Sequence, residues 1–206
     1  LLTVAGGITG TGNVVFNNNS AIANGITVST TSVNNTGTVT NSGTGSGVTL
    51  ISAAVDTNVT TVTENSTTSA LTVSGAVTVG ATNKTFTNSN ASGSSLLTVS
   101  GGVTGTGNVV LNNNSAIANG ITVATTTLNN TGTVTNSGTG SGVTLVSAVI
   151  GALVTNVIEN SATSQLTLSA INLFAGTGLS ILSGTVLVTT NAGAVGTTNI
   201  TLGNTS

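Results

Sequence analysis

The sequence predicts an all-β protein folded as a parallel β-solenoid, a β-helix in which short strands stack coil upon coil. Three observations predict this fold class: an internal repeat, a period-two alternation of β-branched and small polar residues, and a near absence of charged side chains. Together they indicate many similar layers that lie directly on one another.

The internal repeat covers most of the chain. Leu1 matches Leu96, 95 positions later, and the segment NNTGTVTNSGTGSGVTL at 34–50 returns unchanged at 129–145. A long repeat of this kind is typical of a solenoid, because one coil cannot bury its apolar side chains alone.

The repeat also predicts the organisation of the chain. We expect a single solenoid over residues 1–206, without a second domain. Its two repeats span 1–95 and 96–190 and diverge after about residue 172. A variant C-terminal end follows at 173–206.

Within each repeat the local pattern is that of short strands. Segments such as TVTN, LTVSGAVTV and GITVST alternate in period two and end at Gly, Asn or Ser. No helical stripe persists, and short turns stand where an α/β fold would need helical crossovers. Antiparallel hairpins and stacked parallel coils remain, and the long repeat favours stacked coils. A repeat of 95 residues then divides into about five coils of roughly 19 residues each.

Charged residues make up 2% of the chain, against about 25% in a typical globular protein. Equivalent positions in stacked coils lie about 4.8 Å apart, so like charges would repel along the whole ladder, whereas Asn and Thr hydrogen-bond to their own kind. We therefore interpret the asparagine clusters as turn-forming and ladder-forming, with a ligand-binding asparagine row as the alternative. The residues concerned are Asn17, Asn18, Asn19, Asn34, Asn35, Asn112, Asn113, Asn114, Asn129 and Asn130.

The sequence offers little material for catalysis or for cofactor binding. His and Cys are absent, and Asp56, Glu64 and Glu159 are the only carboxylate side chains. Glu64 and Glu159 are repeat equivalents, about five coils apart under the expected period and too distant to act as an acid and base pair. No serine has a histidine to activate it. We predict no enzyme activity, no catalytic residue, no metal site and no cofactor.

Charge and hydropathy also exclude two classes of partner. The formal net charge of -2 is too small to attract nucleic acid or anionic lipid. The longest nearly apolar stretch, 146–154, is about half the roughly 20 residues that a membrane-spanning helix needs. We therefore predict no nucleic-acid partner and no membrane span.

Two segments resemble a known family of repeats. LTVSGGVTGTGNVVLNNNS at 97–115 and LTVSGAVTV at 71–79 are similar to the autotransporter-associated β-strand repeats of bacterial surface proteins. The resemblance implies a right-handed parallel β-helix that is exported to the bacterial cell surface and acts there as an adhesin, stalk or fibre.

Rows of threonine leave a further alternative open. TGTVT at 36–40 and TTVT at 60–63 could present a lattice of hydroxyl and methyl groups to ice. An ice-binding solenoid would show a strict T-x-T at one position in every coil, and the sequence shows no such regularity.

The sequence favours a structural role. Solenoid ends expose open β edges, and neither end of this chain shows a charged or proline-rich cap. We predict that subunits join end to end into a homopolymeric extracellular fibre, stalk or sheath, at the cell surface or in a biofilm matrix. The alternative is a slice of one long monomeric adhesin. The candidate joining residues are Leu1, Leu2, Val4, Val195, Ile200 and Leu202.

Overall fold

A computed structural model describes residues 1–124, 127–189, 193–196 and 198–203. All regular structure in these residues is β-strand, so they include no helix of the length and apolarity that a membrane crossing requires. The strands are β1 (Leu2–Val4), β2 (Val14–Asn17), β3 (Ile26–Val28), β4 (Gly37–Ser42), β5 (Thr49–Ile51), β6 (Val59–Glu64), β7 (Leu71–Val73), β8 (Val77–Val79), β9 (Lys84–Asn88), β10 (Leu97–Val99), β11 (Val103–Gly105), β12 (Val109–Asn113), β13 (Ile121–Val123), β14 (Leu128–Asn130), β15 (Gly132–Ser137), β16 (Thr144–Val146), β17 (Val154–Asn160), β18 (Leu166–Leu168), β19 (Gly178–Ser183), β20 (Val186–Val188) and β21 (Ile200–Leu202).

The strands form three parallel sheets that run along the molecule. Sheet I has the order β1-β3-β5-β7-β10-β13-β16-β18-β20, and sheet II has the order β2-β4-β6-β9-β12-β15-β17-β19-β21. Sheet III is narrower, with β8, β11 and β14 as its strands and single bridging residues in several other layers. The chain passes through sheets I, III and II and returns to sheet I one layer further along. We number the coils 1 to 9 by their sheet I strands. The predicted all-β parallel solenoid is confirmed.

The coils are longer than the sequence predicted. Leu71 pairs with Leu97 and Leu166 pairs with Val186, and successive coils are about 23 residues apart. The expectation of 19 residues per coil is therefore wrong, and the 95-residue repeat contains four coils rather than five. The reason is that the turns differ in length from coil to coil, so the asparagine clusters along the sequence do not give the period. Eight turns at about 4.8 Å give a stack of roughly 38 Å.

Columns of inward-facing Val, Leu and Ile fill the space between the sheets. Leu71, Leu97 and Ile121 are in register in sheet I, and all three are fully buried. Val77 and Val103 form the matching column of sheet III. Burying one such side chain stabilises the fold by about 1.5 to 3 kcal/mol, but only when a neighbouring coil covers it. The hydrophobic core therefore forms only when the coils stack on one another.

Glycines allow adjacent coils to approach where the chain leaves sheet I. A Cβ atom added at Gly101 would lie 2.0 Å from the carbonyl oxygen of Gly75, and one at Gly75 would lie 1.9 Å from that of Ala53. Gly6 is the repeat equivalent of Gly101 but belongs to coil 1, and a Cβ there would meet no heavy atom within 4 Å. The two positions share a sequence context and differ in whether a preceding coil is present.

This pair provides a direct test of coil packing. Gly101→Ala should lower the free energy of unfolding by about 1 to 3 kcal/mol, because the methyl group pushes coil 5 away from coil 4. Gly6→Ala should change it by no more than about 0.5 kcal/mol, as for an ordinary surface substitution. Denaturant unfolding of monomeric protein measures both, and equal losses would contradict the stacking described above.

Candidate functional site

A set of buried polar side chains lies at the corner where each coil turns from sheet II back to sheet I. In the sheet they form two aligned runs, Asn41-Glu64-Asn88-Asn113 and Asn136-Glu159, with Asn18 at the same corner of coil 1. We call this set the polar ladder, and each of its members is at most 1% exposed. Burying polar groups is costly unless they are hydrogen-bonded, so this corner depends on specific bonds in a way that the apolar columns do not. The members are Asn18, Asn41, Glu64, Asn88, Asn113, Asn136 and Glu159.

Three asparagines of the polar ladder, Asn18, Asn88 and Asn113, donate to a backbone carbonyl and accept from a backbone N–H. Asn113 Nδ2 donates to the Gly142 carbonyl in the next coil at 3.0 Å, and its Oδ1 accepts from the Ser115 N–H at 3.1 Å. Asn88 likewise donates to the Gly120 carbonyl at 2.6 Å. These side chains therefore bond to backbone groups of their own turn and of the next coil.

Two members are glutamates, and each accepts hydrogen bonds from an equivalent asparagine and an equivalent serine. Asn41 Nδ2 donates to Glu64 Oε2 at 2.8 Å, and the Ser66 N–H donates to Oε1 at 2.6 Å. Four coils along, Asn136 and Ser161 donate to Glu159 at 2.8 and 2.7 Å. Both carboxyl groups are fully buried. At about 4.8 Å per coil they lie roughly 19 Å apart.

Burial dominates the titration of both glutamates. It raises the pKa of Glu64 from 4.5 to about 8, although hydrogen bonds from Asn41 and the Ser66 backbone act in the opposite direction. It raises the pKa of Glu159 from 4.5 to about 7, again against hydrogen bonds, from Asn136 and from backbone N–H groups. The chemistry that this corner supports is reversible proton binding at two buried carboxyl groups.

Serines complete the corner beside each glutamate. Ser66 Oγ donates to the Gly43 carbonyl and Ser69 Oγ donates to the Gly47 carbonyl, both at 2.7 Å. Ser161 and Ser164 make the equivalent bonds in the second repeat. These hydroxyl groups bond to carbonyl groups of the preceding coil, so the corner holds adjacent coils together.

Lys84 is also buried, at the other end of its sheet II strand. Its ammonium group donates to the Asp56 carbonyl oxygen at 2.7 Å and to that of Val59. Burial lowers the pKa of Lys84 to about 8, while the negative charge of Asp56 opposes the shift. Asp56 is half-buried, so none of the chain's four charged side chains is exposed.

The ten asparagines singled out in the sequence fall into three groups. Asn18 and Asn113 belong to the polar ladder. Asn35 and Asn130 are buried at the corner between sheets III and II, where their amides donate to backbone carbonyls at 2.8 Å. The others lie outside these columns, and several accept a backbone N–H from the next coil; they are Asn17, Asn19, Asn34, Asn112, Asn114 and Asn129.

Sequence reasoning missed most of the polar ladder. Asn41, Asn88 and Asn136 are not among the ten asparagines that the sequence predicts as turn-forming and ladder-forming. The sequence presents the two glutamates only as candidates for an acid and base pair. A signal was present, because Glu64-Asn65-Ser66 has the same form as Asn18-Asn19-Ser20. Read as a turn motif, this pattern would have placed glutamate and asparagine at equivalent corners.

The predicted joining residues lie at the two ends of the stack. Leu1 and Leu2 are 77% and 53% exposed beside coil 1, and Ile200 and Leu202 are 53% and 77% exposed in β21. Val4 and Val195 are partly buried against the core. An open depression of about 370 Å³ at coil 1 is lined by Leu1, Leu2, Asn17, Asn18, Asn19, Ser20, Gly25 and Ile26.

In comparisons with protein families, with curated proteins and with solved structures, no significant match to this chain is found. The geometry of the ladder, the outer faces and the ends is therefore the basis for a functional proposal.

The polar ladder should be essential for stability. Asn88→Ala removes donors to the Ser95 and Gly120 carbonyls and an acceptor for the Asn90 N–H. We expect a loss of at least about 1 to 3 kcal/mol in the free energy of unfolding, the usual cost of leaving a buried polar group without its partner. Asn58→Ala, at an exposed turn, is the control and should change it by no more than about 0.5 kcal/mol. Similar losses for the two variants would contradict the role given to the ladder.

Proposed function

We propose that this chain is a structural rod whose copies stack end to end into an extracellular fibre or sheath at a bacterial cell surface. The observation that carries the proposal is the set of glycines on the exposed side of coil 1. Three of them have no heavy atom within 4 Å of an added Cβ, namely Gly6, Gly10 and Gly12.

The repeat equivalents of these glycines are tightly packed. Added Cβ atoms at Gly101, Gly105 and Gly107 would lie 2.0 to 2.1 Å from carbonyl oxygens of coil 4. Coil 1 thus presents outward the surface that coil 5 uses against another coil. A second copy that supplies a coil like coil 4 would complete that contact.

The polar corner supports the same arrangement. Asn88 in coil 4 donates to the Gly120 carbonyl of coil 5, and Gly25 is the repeat equivalent of Gly120. Gly25 lines the open depression at coil 1, beside Leu1 and Leu2. A polar-ladder asparagine from another copy would donate to the Gly25 carbonyl there, as Asn88 donates to the Gly120 carbonyl within the chain.

The two ends also have the composition expected of a joint rather than of a cap. Exposed edge strands are usually protected by charge, proline or a covering element. The edges here carry exposed apolar residues at both ends, Leu2 in β1 and Ile200 and Leu202 in β21. The likeness to the repeats of bacterial surface proteins supports a location outside the cell. The alternative, a long monomeric adhesin, would place further coils of the same chain beneath coil 1.

The proposal is tested by imaging and sizing the purified protein. We expect filaments longer than the roughly 38 Å of one stack. Gly6→Ala should weaken end-to-end assembly by about tenfold or more, because a methyl group that costs 1.4 kcal/mol at the joint lowers affinity tenfold. The monomer should remain folded.

Thr57→Ala, at an exposed position in coil 3 and away from both ends, is the control and should assemble normally. Discrete rods at every concentration, measured by electron microscopy and light scattering, would contradict self-assembly and favour the monomeric adhesin.

We propose ice binding as a second candidate because the structure aligns threonines that the sequence does not. Thr61 pairs with Thr38 on one side and with Thr85 on the other, and Thr63 pairs with Thr40 and Thr87. T-x-T therefore occurs at one position in coils 2, 3 and 4. Among the described residues, these six hydroxyl groups have no intramolecular hydrogen bond; they belong to Thr38, Thr40, Thr61, Thr63, Thr85 and Thr87.

The spacing of this array supports an ordered water surface as the ligand. Its hydroxyl groups repeat at about 4.8 Å between coils and about 6.6 Å along a strand, both on the scale of oxygen repeats in ice. Threonine side chains are also stiff at χ1, which favours a regular lattice. The array is interrupted at Val110 and Asn112 of coil 5.

The amount of protein taken up by slowly growing ice tests this candidate. Thr61→Lys combined with Thr63→Lys should abolish uptake, since two charged side chains would break the lattice at its centre. Thr72→Lys on sheet I, where the threonine column is broken by Leu50, should leave uptake unchanged. Exclusion of the unaltered protein from ice, or equal uptake of both variants, would rule it out.

A further inference from the structure

The polar ladder contains two residues whose charge state can change. Five of its seven members are asparagines, and the other two are Glu64 and Glu159, each 0% exposed. An asparagine satisfies the turn at the other corners without any ionisable group. Glutamate at this position therefore adds one property, which is that the side chain can gain and lose a proton.

Within the part of the chain that the structure describes, no cationic side chain lies opposite either carboxyl group. In the sheets, Glu64 is in register with Asn41 and Asn88, and Glu159 is in register with Asn136 and Ile181. The corner segments contribute hydroxyl and backbone groups from Ser66, Ser69, Ser161 and Ser164, and sheet I contributes Thr49 and Thr144. None of these partners is charged or titratable.

The remaining charged groups are directed elsewhere. Lys84 is on the same strand as Asn88, but its ammonium group donates to the Asp56 and Val59 carbonyls at a different corner. Asp56 is at that corner as well. An ionised Glu64 or Glu159 would thus be a buried charge compensated by hydrogen bonds alone.

We propose that Glu64 and Glu159 are proton-binding sites that make the cohesion of the coils depend on pH. The stack is tightest when both carboxyl groups carry a proton. It loosens at the contacts of coil 3 and coil 7 when they ionise.

The physical reason is the cost of burying an unpaired charge. Hydrogen bonds recover part of the solvation that a carboxylate loses on burial, but without a cation the neutral acid remains the favoured form in the fold. In the unfolded chain both groups are solvated and ionise at their ordinary pKa. Folding is then linked to proton uptake.

The sign of the pH dependence follows from this linkage. The pKa of each glutamate is higher in the folded state, about 8 for Glu64 and about 7 for Glu159, than the 4.5 of the unfolded chain. Their contribution to stability is complete below pH 4.5 and is lost as the pH rises to about 8. Lys84 has the opposite dependence, but only above its folded pKa of about 8. The interval from pH 5 to 8 therefore isolates the glutamates.

The inference does not depend on end-to-end assembly, because both glutamates lie within the stack. In a fibre made of such rods, protonation of the two glutamates would stabilise the coils in an acidic medium. Their ionisation would loosen the coils in an alkaline medium. The spacing of four coils places the two sites at equivalent points of the two repeats.

Denaturant unfolding at pH 5, 6.5 and 8 tests the proposal. The denaturant midpoint of the unaltered protein should fall steadily across this range. Glu64→Gln combined with Glu159→Gln removes both titratable carboxyl groups and should make the denaturant midpoint nearly independent of pH. Asn58→Ala, the exposed-turn control used above, keeps both glutamates and leaves the surroundings of Lys84 intact, and it should retain the full dependence of the unaltered protein.

Carboxyl carbon NMR of the unaltered protein provides a measurement that needs no variant. Asp56, Glu64 and Glu159 are the only side-chain carboxyl groups, so their signals are few. Two of them should titrate near neutral pH. Titration of both glutamates near pH 4.5, or a pH dependence of stability that survives the double substitution, would overturn the proposal.

Discussion

The whole structure depends on one constraint, which is that each coil must pair its backbone with the coils before and after it at about 4.8 Å. This spacing leaves no room for a side chain at Gly75 or Gly101, where the backbones of neighbouring coils are close together. It also places equivalent residues of successive coils directly over one another. Apolar columns such as Leu71, Leu97 and Ile121 gain from that arrangement, whereas columns of like charge would be repelled.

The corner between sheets II and I shows what the same constraint demands of polar residues. The chain turns there inside the stack, and its backbone groups would lack partners without side-chain help. Asparagine meets this need because one amide can both donate and accept. Glutamate meets only the accepting part, so Asn41 and Asn136 of the preceding coils supply the donors. The result is a corner that both holds the coils together and senses protons.

The regular outer surfaces of the stack, more than any single residue, support the proposed functions. With its four charged side chains partly or fully buried, the chain presents outer faces rich in threonine, serine and asparagine. Exposed apolar residues lie at the two ends and at Leu153, Ile171 and Leu173. Such a surface suits a rod that contacts its own copies or an ordered lattice. The exposed glycines of coil 1 favour the first of these, and the aligned threonines of coils 2 to 4 favour the second.

The sequence by itself determined the fold class, because strand periodicity, the repeat and the lack of charge are all local or directly visible in the chain. It also identified Asn18, Asn35, Asn113 and Asn130, which are buried at corners. Only the tertiary structure decided the coil length, the burial of Glu64 and Glu159, and the alignment of Thr61 with Thr38 and Thr85. The physical reason is that register between coils is set by the turns, whose lengths vary from layer to layer. A fixed period read along the chain therefore drifts away from the columns that the stacked coils form.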